Sequence, residues 1–245
     1  MQTTQQHPTP THPKPLFRWN GGKRQLLAEI HRLLPGSFDR LIEPFVGAGA
    51  VMLSMPGHVR LLIGDLNPDI VAVYRSARAN PAGLVAAVSS LARRLDADEF
   101  REVRRSETHS EVEAAARLIY LQATNFQGMY RVNHSGKVSS SYGHLKSPRL
   151  PTRDEVEAVG RHLTGARIDH VDFEALIDEA GRRDLVYLDP PYVPASPTAK
   201  FTQYTPDGFE LAEHERLAAA IRRARRRGAR VMLSQSDTPT TRAVR

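Results

Sequence analysis

Cysteine is absent from this 245-residue sequence, which excludes disulfides, thiolate nucleophiles, iron–sulfur clusters and cysteine-ligated zinc. Any chemistry must therefore rest on carboxylates, hydroxyls, backbone groups or a bound organic cofactor. Also missing is any run approaching the roughly 20 apolar residues of a membrane span, and residues 1–15 lack the apolar core of a secretory signal. The expectation is a cytoplasmic protein that meets no membrane. The ten histidines show no ligand spacing, so no metal is expected. Positive charge, by contrast, is in excess: 34 Lys and Arg against 27 Asp and Glu give a formal charge of +7. That balance favours a polyanionic partner without establishing one. With 40% hydrophobic and 25% charged residues, the chain can build one large domain or a domain carrying an insertion.

Residues 1–15 hold four prolines (Pro8, Pro10, Pro13, Pro15) among polar residues and read as a flexible tail. From Arg24, the positions Leu26, Leu27, Ile30, Leu33 and Leu34 recur at helical spacing until Pro35-Gly36, which predicts an amphipathic helix. Short β-rich runs follow: Arg40 to Glu43, Val59 to Asp65 and Leu185 to Asp189, each ending in an acid, and Ala229 to Ser234 without one. Helical patterns lie between them, at Ala50 to Met55 and at Glu210 to Arg227, where Leu217, Ile221 and Ala224 make the buried face and Gly228 the cap. This alternation predicts an α/β fold whose parallel sheet is covered on both faces. The segment 76–164 breaks the rhythm with helices at Leu84 to Leu95 and Val112 to Ala123, then a hairpin, Met129 to Ser141, turning at His134-Ser135-Gly136. It reads as an inserted, mainly helical module between 16–75 and 165–245.

Four stretches can carry chemistry. The strand ending at Glu43 runs into Pro44-Phe45-Val46-Gly47-Ala48-Gly49, a glycine turn where backbone can approach a ligand or simply change direction. Eighteen positions past Gly47 the next strand ends at Asp65, close to the roughly 20-residue spacing at which a carboxylate reaches ribose hydroxyls. The turn lacks the third glycine that accompanies a pyrophosphate, so a nucleoside ligand without one is the better expectation. Upstream, Trp19-Asn20-Gly21-Gly22-Lys23 places a lysine and the only tryptophan in a loop before a helix. That loop can hold an anion, or Trp19 can merely pack on the core. Last, Asp189-Pro190-Pro191-Tyr192 follows an apolar strand, at the end of the sheet where open α/β folds bind ligands. Two prolines remove N–H donors, leaving the Asp189 carboxylate and the Pro190 carbonyl as acceptors for a planar amino group, with Tyr192 able to stack on its ring. Pro-Pro can also simply end a sheet.

These stretches, in this order, resemble the DNA adenine methyltransferase family, from Leu16 to about Arg242. The likeness covers Trp19 to Lys23, Glu43 to Gly49, Asp65-Leu66-Asn67, Asn125 to Asn133, Asp189 to Tyr192, Phe201 to Tyr204 and Ser234 to Thr238. It implies a Rossmann-like methyltransferase sheet with an inserted target-recognition domain, S-adenosylmethionine as cofactor, and methyl transfer to the N6 amine of an adenine flipped out of duplex DNA, in DNA modification such as restriction–modification. By that resemblance Trp19, Lys23, Asp65 and Asp189 contact the cofactor, Phe45, Gly47 and Gly49 shape its methionine pocket, and Asp172-Phe173 borders its adenine. Asp189, Pro190, Pro191 and Tyr192 form the catalytic tetrad. DNA-binding candidates are Arg131, toward guanine or a phosphate, with Asn133, Lys137 and Tyr204. Phe201 to Tyr204 either closes over the flipped base or packs on itself. Lys137 to Gly143 carries serines where the family has Asn and Pro, which leaves the target sequence open. The arginines Arg222 to Arg227 read as a solvated helix end rather than a phosphate grip.

Family members continue beyond the Ser234 to Thr238 region with further sheet elements, and the expectation is a shortened sheet, or one completed by a partner chain. Two other functions stand beside the first: an inactive DNA-binding relic, and a methyltransferase acting on RNA.

Overall fold

Three acid-terminated apolar runs of the sequence are adjacent strands of one sheet in the computed structural model, which describes residues 12–133, 137–145, 147–192 and 209–235. Most of the tail, the turn at 134–136 and the 201–204 loop with Tyr204 lie outside these residues. In chain order the elements are α1 (Leu27–Leu33), β1 (Arg40–Glu43), β2 (Arg60–Asp65), α2 (Pro68–Ala79), α3 (Pro81–Leu91), α4 (Ala97–Arg105) and α5 (Glu111–Thr124). Then come α6 (Arg153–His162), β3 (Arg167–His170), α7 (Phe173–Asp178), β4 (Asp184–Leu188), α8 (Leu211–Arg226) and β5 (Arg230–Leu233). The strands lie in the order β3-β2-β1-β4-β5, all parallel. Successive strands step outward from β1 to β3, then return to β4 on the other side of β1. The carboxyl ends of β1 and β4 therefore flank the switch point where such sheets take ligands.

Alternation along the strands divides the core. Leu41, Leu61, Ile63, Leu185 and Tyr187 face one cluster with α2, α5 and α6; Ile42, Leu62, Val186 and Leu188 face the other with α7 and α8. A strand buried on both faces must be apolar throughout, and all five residues of β4 are buried. At the opposite end of the sheet Arg40 grips the Asp184 carboxylate with two bonds, 3.0 and 2.7 Å, locking β1 to β4 in register.

Caps start the helices. Asn67, Asn80, Asp96, Ser110 and Asp172 each accept from a backbone N–H in the first turn, and Thr152 with Glu155 forms a capping box at α6. The helices of the 76–164 segment share the sheet's larger core, with Leu118 and Ile119 of α5 and Val159 of α6 buried against α2. Gly160 permits this: a Cβ there would lie 2.3 Å from the Ala77 carbonyl oxygen. Gly160→Ala is therefore expected to cost about 2 kcal/mol and lower Tm by roughly 4–8 °C in a thermal melt. An unchanged Tm would show that α6 can slide away from α2.

The structure corrects several expectations. The helix at 24–34 opens as a 3-10 turn, Lys23–Leu26, which rotates the register, so that Ile30 is buried while Leu26 and Leu33 stand exposed. Ala50 to Met55 forms only a short 3-10 turn, Met52–Ser54, because Met55 turns extended before Pro56. The 84–95 helix ends at Leu91. Among the described residues the arms of the Met129 to Ser141 stretch pair antiparallel through isolated bridges rather than a regular ladder: Val132 with Val138 and, flanking them, Asn125 with Tyr142. Among the described residues no helix is long and apolar enough to cross a membrane, and no acid or histidine cluster could hold a metal.

Candidate active site

Three parallel strands deliver three acids to one place. Glu43 ends β1, Asp65 ends β2 and Asp189 follows β4. Facing them, the loop before α1 supplies one cation. Lys23 Nζ lies 2.6 Å from Asp189 Oδ2, donates to the Gly21 carbonyl at 2.6 Å and sits 5.1 Å from the centre of the Tyr192 ring. Burial, the largest single influence, disfavours the Lys23 ammonium, but the charge and hydrogen bond of Asp189 together with Tyr192 outweigh it and hold the pKa above the ordinary value. Burial in turn lifts the Asp189 carboxyl above the usual range, against the pull of Lys23. The close ion pair keeps it ionised at neutral pH. Pro190 is buried behind it, and the Tyr192 hydroxyl reaches Ser234 at 3.2 Å.

The glycine turn is built by its neighbours. Gly47 and Gly49 have φ of +47° and +70°, a region costly for other residues. The Tyr74 hydroxyl donates to the Gly47 carbonyl at 2.7 Å. A Cβ on Gly49 would come within 2.7 Å of that hydroxyl oxygen, and one on Gly47 within 3.0 Å of the Trp19 ring. Asp65 clamps the turn to the next helix, one carboxylate oxygen accepting from Gly47 N–H at 3.0 Å and the other from Asn67 N–H at 2.9 Å. Each oxygen retains a lone pair for a further donor. Burial raises the Asp65 carboxyl to about 6.

Trp19 and Lys23 are thus brought to the ends of the sheet with Gly47, Asp65 and Asp189. Phe45 turns to the other face, where it stacks on Phe173 at 5.3 Å and meets Phe209 edge-on at 5.8 Å. Asp172 caps α7 and pairs with Arg216 at 2.8 Å, so its carboxylate already has partners. Arg131, Asn133 and Lys137 are exposed on the arms joined by the Val132–Val138 bridge. Of the arginine cluster, Arg223 pairs with Glu174 and Asp178 and Arg227 caps the carbonyls of Ile177 and Ala180, holding α8 to α7. Arg222, Arg225 and Arg226 are exposed, as expected of a solvated face.

Sequence reasoning missed three residues here. Glu43 is 3% exposed, and burial first, then the nearby Asp189 charge, push its carboxyl well above the ordinary value, disfavouring its charged form. Its Oε2 has no partner among the described residues. The acid at the strand end was visible in the sequence, its burial was not. Tyr74 spans from α2 to the glycine turn, a contact no spacing rule reveals. Phe126 is exposed beside Gln127, whose φ is +55°, in the turn that leads into Met129 to Asn133.

An open parallel sheet with a glycine turn after its first strand, an acid after its second and Asp-Pro-Pro-Tyr after its fourth defines a Rossmann-like methyltransferase. Over residues 19–244 the chain matches the family described as D12 class N6 adenine-specific DNA methyltransferase, and it belongs to that family of DNA-methylating enzymes. It is 34% identical over 234 residues to the type II methyltransferase M1.LlaDCHI of Lactococcus lactis subsp. cremoris, covering 92% of this chain and 82% of the relative. It is 31% identical over 234 residues to the DNA adenine methylase of Escherichia coli K12, with 92% and 82% covered. With the DNA N-6-adenine-methyltransferase of Escherichia phage P1 it shares 32% identity over 233 residues, 93% of this chain and 30% of that longer protein.

Proposed function

We propose that the site binds S-adenosylmethionine and transfers its methyl group to the N6 amine of an adenine flipped from duplex DNA. The observation that carries this reading is the Lys23–Asp189 pair, set at the switch point directly before Pro190-Pro191-Tyr192. The residues suit the cofactor: the Asp65 and Asp189 carboxylates outnumber the one ammonium of Lys23, a balance that favours a ligand with cationic groups, Glu43 Oε2 is buried without a partner among the described residues, and the side-chain-free Gly47 lets the Trp19 ring lie directly on the turn. Asp65 is placed for ribose hydroxyls, and Lys23 for a carboxylate end. Bound S-adenosylmethionine supplies an electrophilic methyl group on sulfur.

The chain's own part is to make a poor nucleophile competent. An exocyclic amine conjugated to a purine ring has its lone pair delocalised. The Asp189 carboxylate and the Pro190 carbonyl accept its two N–H bonds and favour a pyramidal nitrogen with the lone pair free. The N–C bond then forms as the C–S bond breaks, the electron pair leaves with sulfur, and one N6 proton passes by way of Asp189 to water. Tyr192, beside Lys23, offers its ring to the base. Arg131, Asn133 and Lys137 with exposed Phe126 form the DNA-facing edge, and 76–164 acts as the recognition module. Tyr204 is assigned to the same DNA contact by resemblance alone.

Purified protein incubated with unmethylated duplex DNA and labelled S-adenosylmethionine should yield label in N6-methyladenine after digestion to nucleosides. Label confined to an RNA substrate would overturn the reading. Cofactor affinity should also depend on pH through Asp65. Its raised carboxyl is protonated below about 6, and a protonated acid accepts less well from ribose hydroxyls, so the Kd for S-adenosylhomocysteine should be several-fold weaker at pH 5 than at pH 7.5. Calorimetric titration across that range checks this, with Asp65→Asn expected to bind weakly at every pH and to flatten the profile.

A further inference from the structure

Tyr130 joins the hairpin to the cofactor turn through a closed ring of contacts. Its ring packs on Trp19, centroids 5.2 Å apart and planes at 37°. Trp19 in turn lies over Gly47. The Tyr130 hydroxyl makes a long 3.4 Å contact to Asp69 Oδ2 in the first turn of α2. The Asp69 N–H donates to Asn67 Oδ1, the Asn67 N–H to Asp65 Oδ1, and the Gly47 N–H to Asp65 Oδ2. The ring thus runs from Asp65 through Gly47, Trp19, Tyr130, Asp69 and Asn67 back to Asp65.

On the hairpin side the backbone around Tyr130 is pinned. The Met129 carbonyl accepts from Asn125 Nδ2 at 2.8 Å and from the Ser140 hydroxyl at 2.7 Å, the Arg131 N–H donates to Ser140 Oγ at 3.0 Å, and the Arg131 carbonyl accepts from Ser139 N–H at 2.9 Å. Tyr130 is 4% exposed while its neighbour Arg131 points to solvent. One side chain therefore faces the cofactor elements from a backbone that cannot shift without carrying Arg131 with it.

We propose that Tyr130 is a positioning residue that couples occupancy of the cofactor pocket to the seating of the hairpin on DNA. The inference rests on the methyl-transfer reading above and adds a thermodynamic link between its two ligands. A ligand resting on the glycine turn confines the Trp19 indole, the confined indole fixes Tyr130, and Tyr130 fixes Arg131. Because binding free energies are reciprocal, DNA held by the hairpin must tighten the cofactor site by the same factor. The hydroxyl adds the second strut, through α2 to Asp65.

The test measures S-adenosylhomocysteine binding by calorimetry, with and without a duplex that the wild-type protein methylates. The emission of Trp19, the sole tryptophan, reports the same event independently. In the wild type the duplex should lower the Kd about tenfold, within the usual range of coupling between sites. Tyr130→Phe, which keeps the ring and loses the hydroxyl, should reduce the factor to about three. Tyr130→Leu should bring it near one, with Kd in the absence of DNA changed less than threefold and the DNA-induced change in Trp19 emission lost. Retention of the tenfold factor in Tyr130→Leu, or a wild type that binds both ligands with a factor of one, overturns the proposal while leaving the methyl-transfer reading intact. Should Tyr130→Leu not fold, an unchanged factor and unchanged emission response in Tyr130→Phe overturn it. A wild type that transfers methyl groups to no duplex sinks the methyl-transfer reading itself.

Discussion

Asp189→Ala should abolish methyl transfer to DNA, by about a thousandfold or more, in a protein that still folds. The carboxylate has two duties: it accepts from the target amine, and it balances the buried Lys23 ammonium 2.6 Å away. Losing a group that acts only as charge develops in the transition state costs on the order of a hundred- to a thousandfold by itself. Loss of the proton route adds to that. With its partner gone, burial of Lys23 is opposed only by Tyr192 and its pKa falls, so the anchor for the cofactor's carboxylate weakens as well. Asp189→Asn separates these effects. It keeps an acceptor oxygen beside the amine and loses the charge, so it should retain more turnover than the alanine variant while binding S-adenosylhomocysteine nearly as poorly. Single-turnover assays with labelled cofactor, beside a thermal melt for each variant, decide the matter. Wild-type rates in Asp189→Ala would remove the tetrad from the chemistry.

The sheet was legible because its central strands have no solvent face. Arg40–Glu43 matched the expected run at both ends, and β2, β4 and β5 lay within one residue of theirs at each end. Each is a short stretch in which successive residues enter opposite halves of one core, so apolar runs bounded by polar ones mark them. The edge strand β3 was invisible for the same reason: Arg167-Ile168-Asp169-His170 buries only Ile168. The 3-10 turns at Lys23–Leu26 and Met52–Ser54 escaped because apolar periodicity reports a buried face and says little about whether the turn closes at three residues or four.

The site was legible as a set of positions and illegible as a set of charges. Strand ends and glycine turns leave local signatures, which made Gly47, Asp65 and Asp189 candidates, and its place in a glycine loop before a helix made Lys23 another. That Lys23 would close on Asp189, 166 positions away, and that burial would disfavour the Glu43 charge, follow only from how β1 and β4 lie side by side. Phe45, expected beside the cofactor from its place among the glycines, stacks on Phe173, which was expected at the same ligand, and meets Phe209 edge-on, a grouping that no spacing along the chain reveals. Tyr74 and Tyr130 held no local signal, being defined by what their hydroxyls and rings reach across the fold.

Lys23→Met should cut turnover at pH 7 by about a hundredfold and give the variant a rate that climbs as the medium becomes alkaline. Burial already raises the Asp189 carboxyl, and Lys23 alone among its close partners opposes that with a full positive charge. Methionine fills the same space without charge. The Asp189 pKa then moves further up, so that at a given pH more of the group is the neutral acid, which holds a proton where it should accept one. The sign follows: the active form is the carboxylate, so activity is lost as pH falls through the raised pKa and is recovered above it. In the wild type the ion pair keeps Asp189 ionised, and this step should leave its profile flat over the same range. Protonation also spares the variant most of the roughly 3–5 kcal/mol that an unpaired buried charge would impose, so it should stay folded at neutral pH and lose stability as pH rises. Rate and stability moving in opposite directions with pH is a signature that simple loss of a cofactor contact does not produce. Turnover at saturating cofactor and thermal melts, both run from pH 6 to 9, would show it, and a flat rate profile in Lys23→Met would mean that Asp189 is ionised by something other than Lys23.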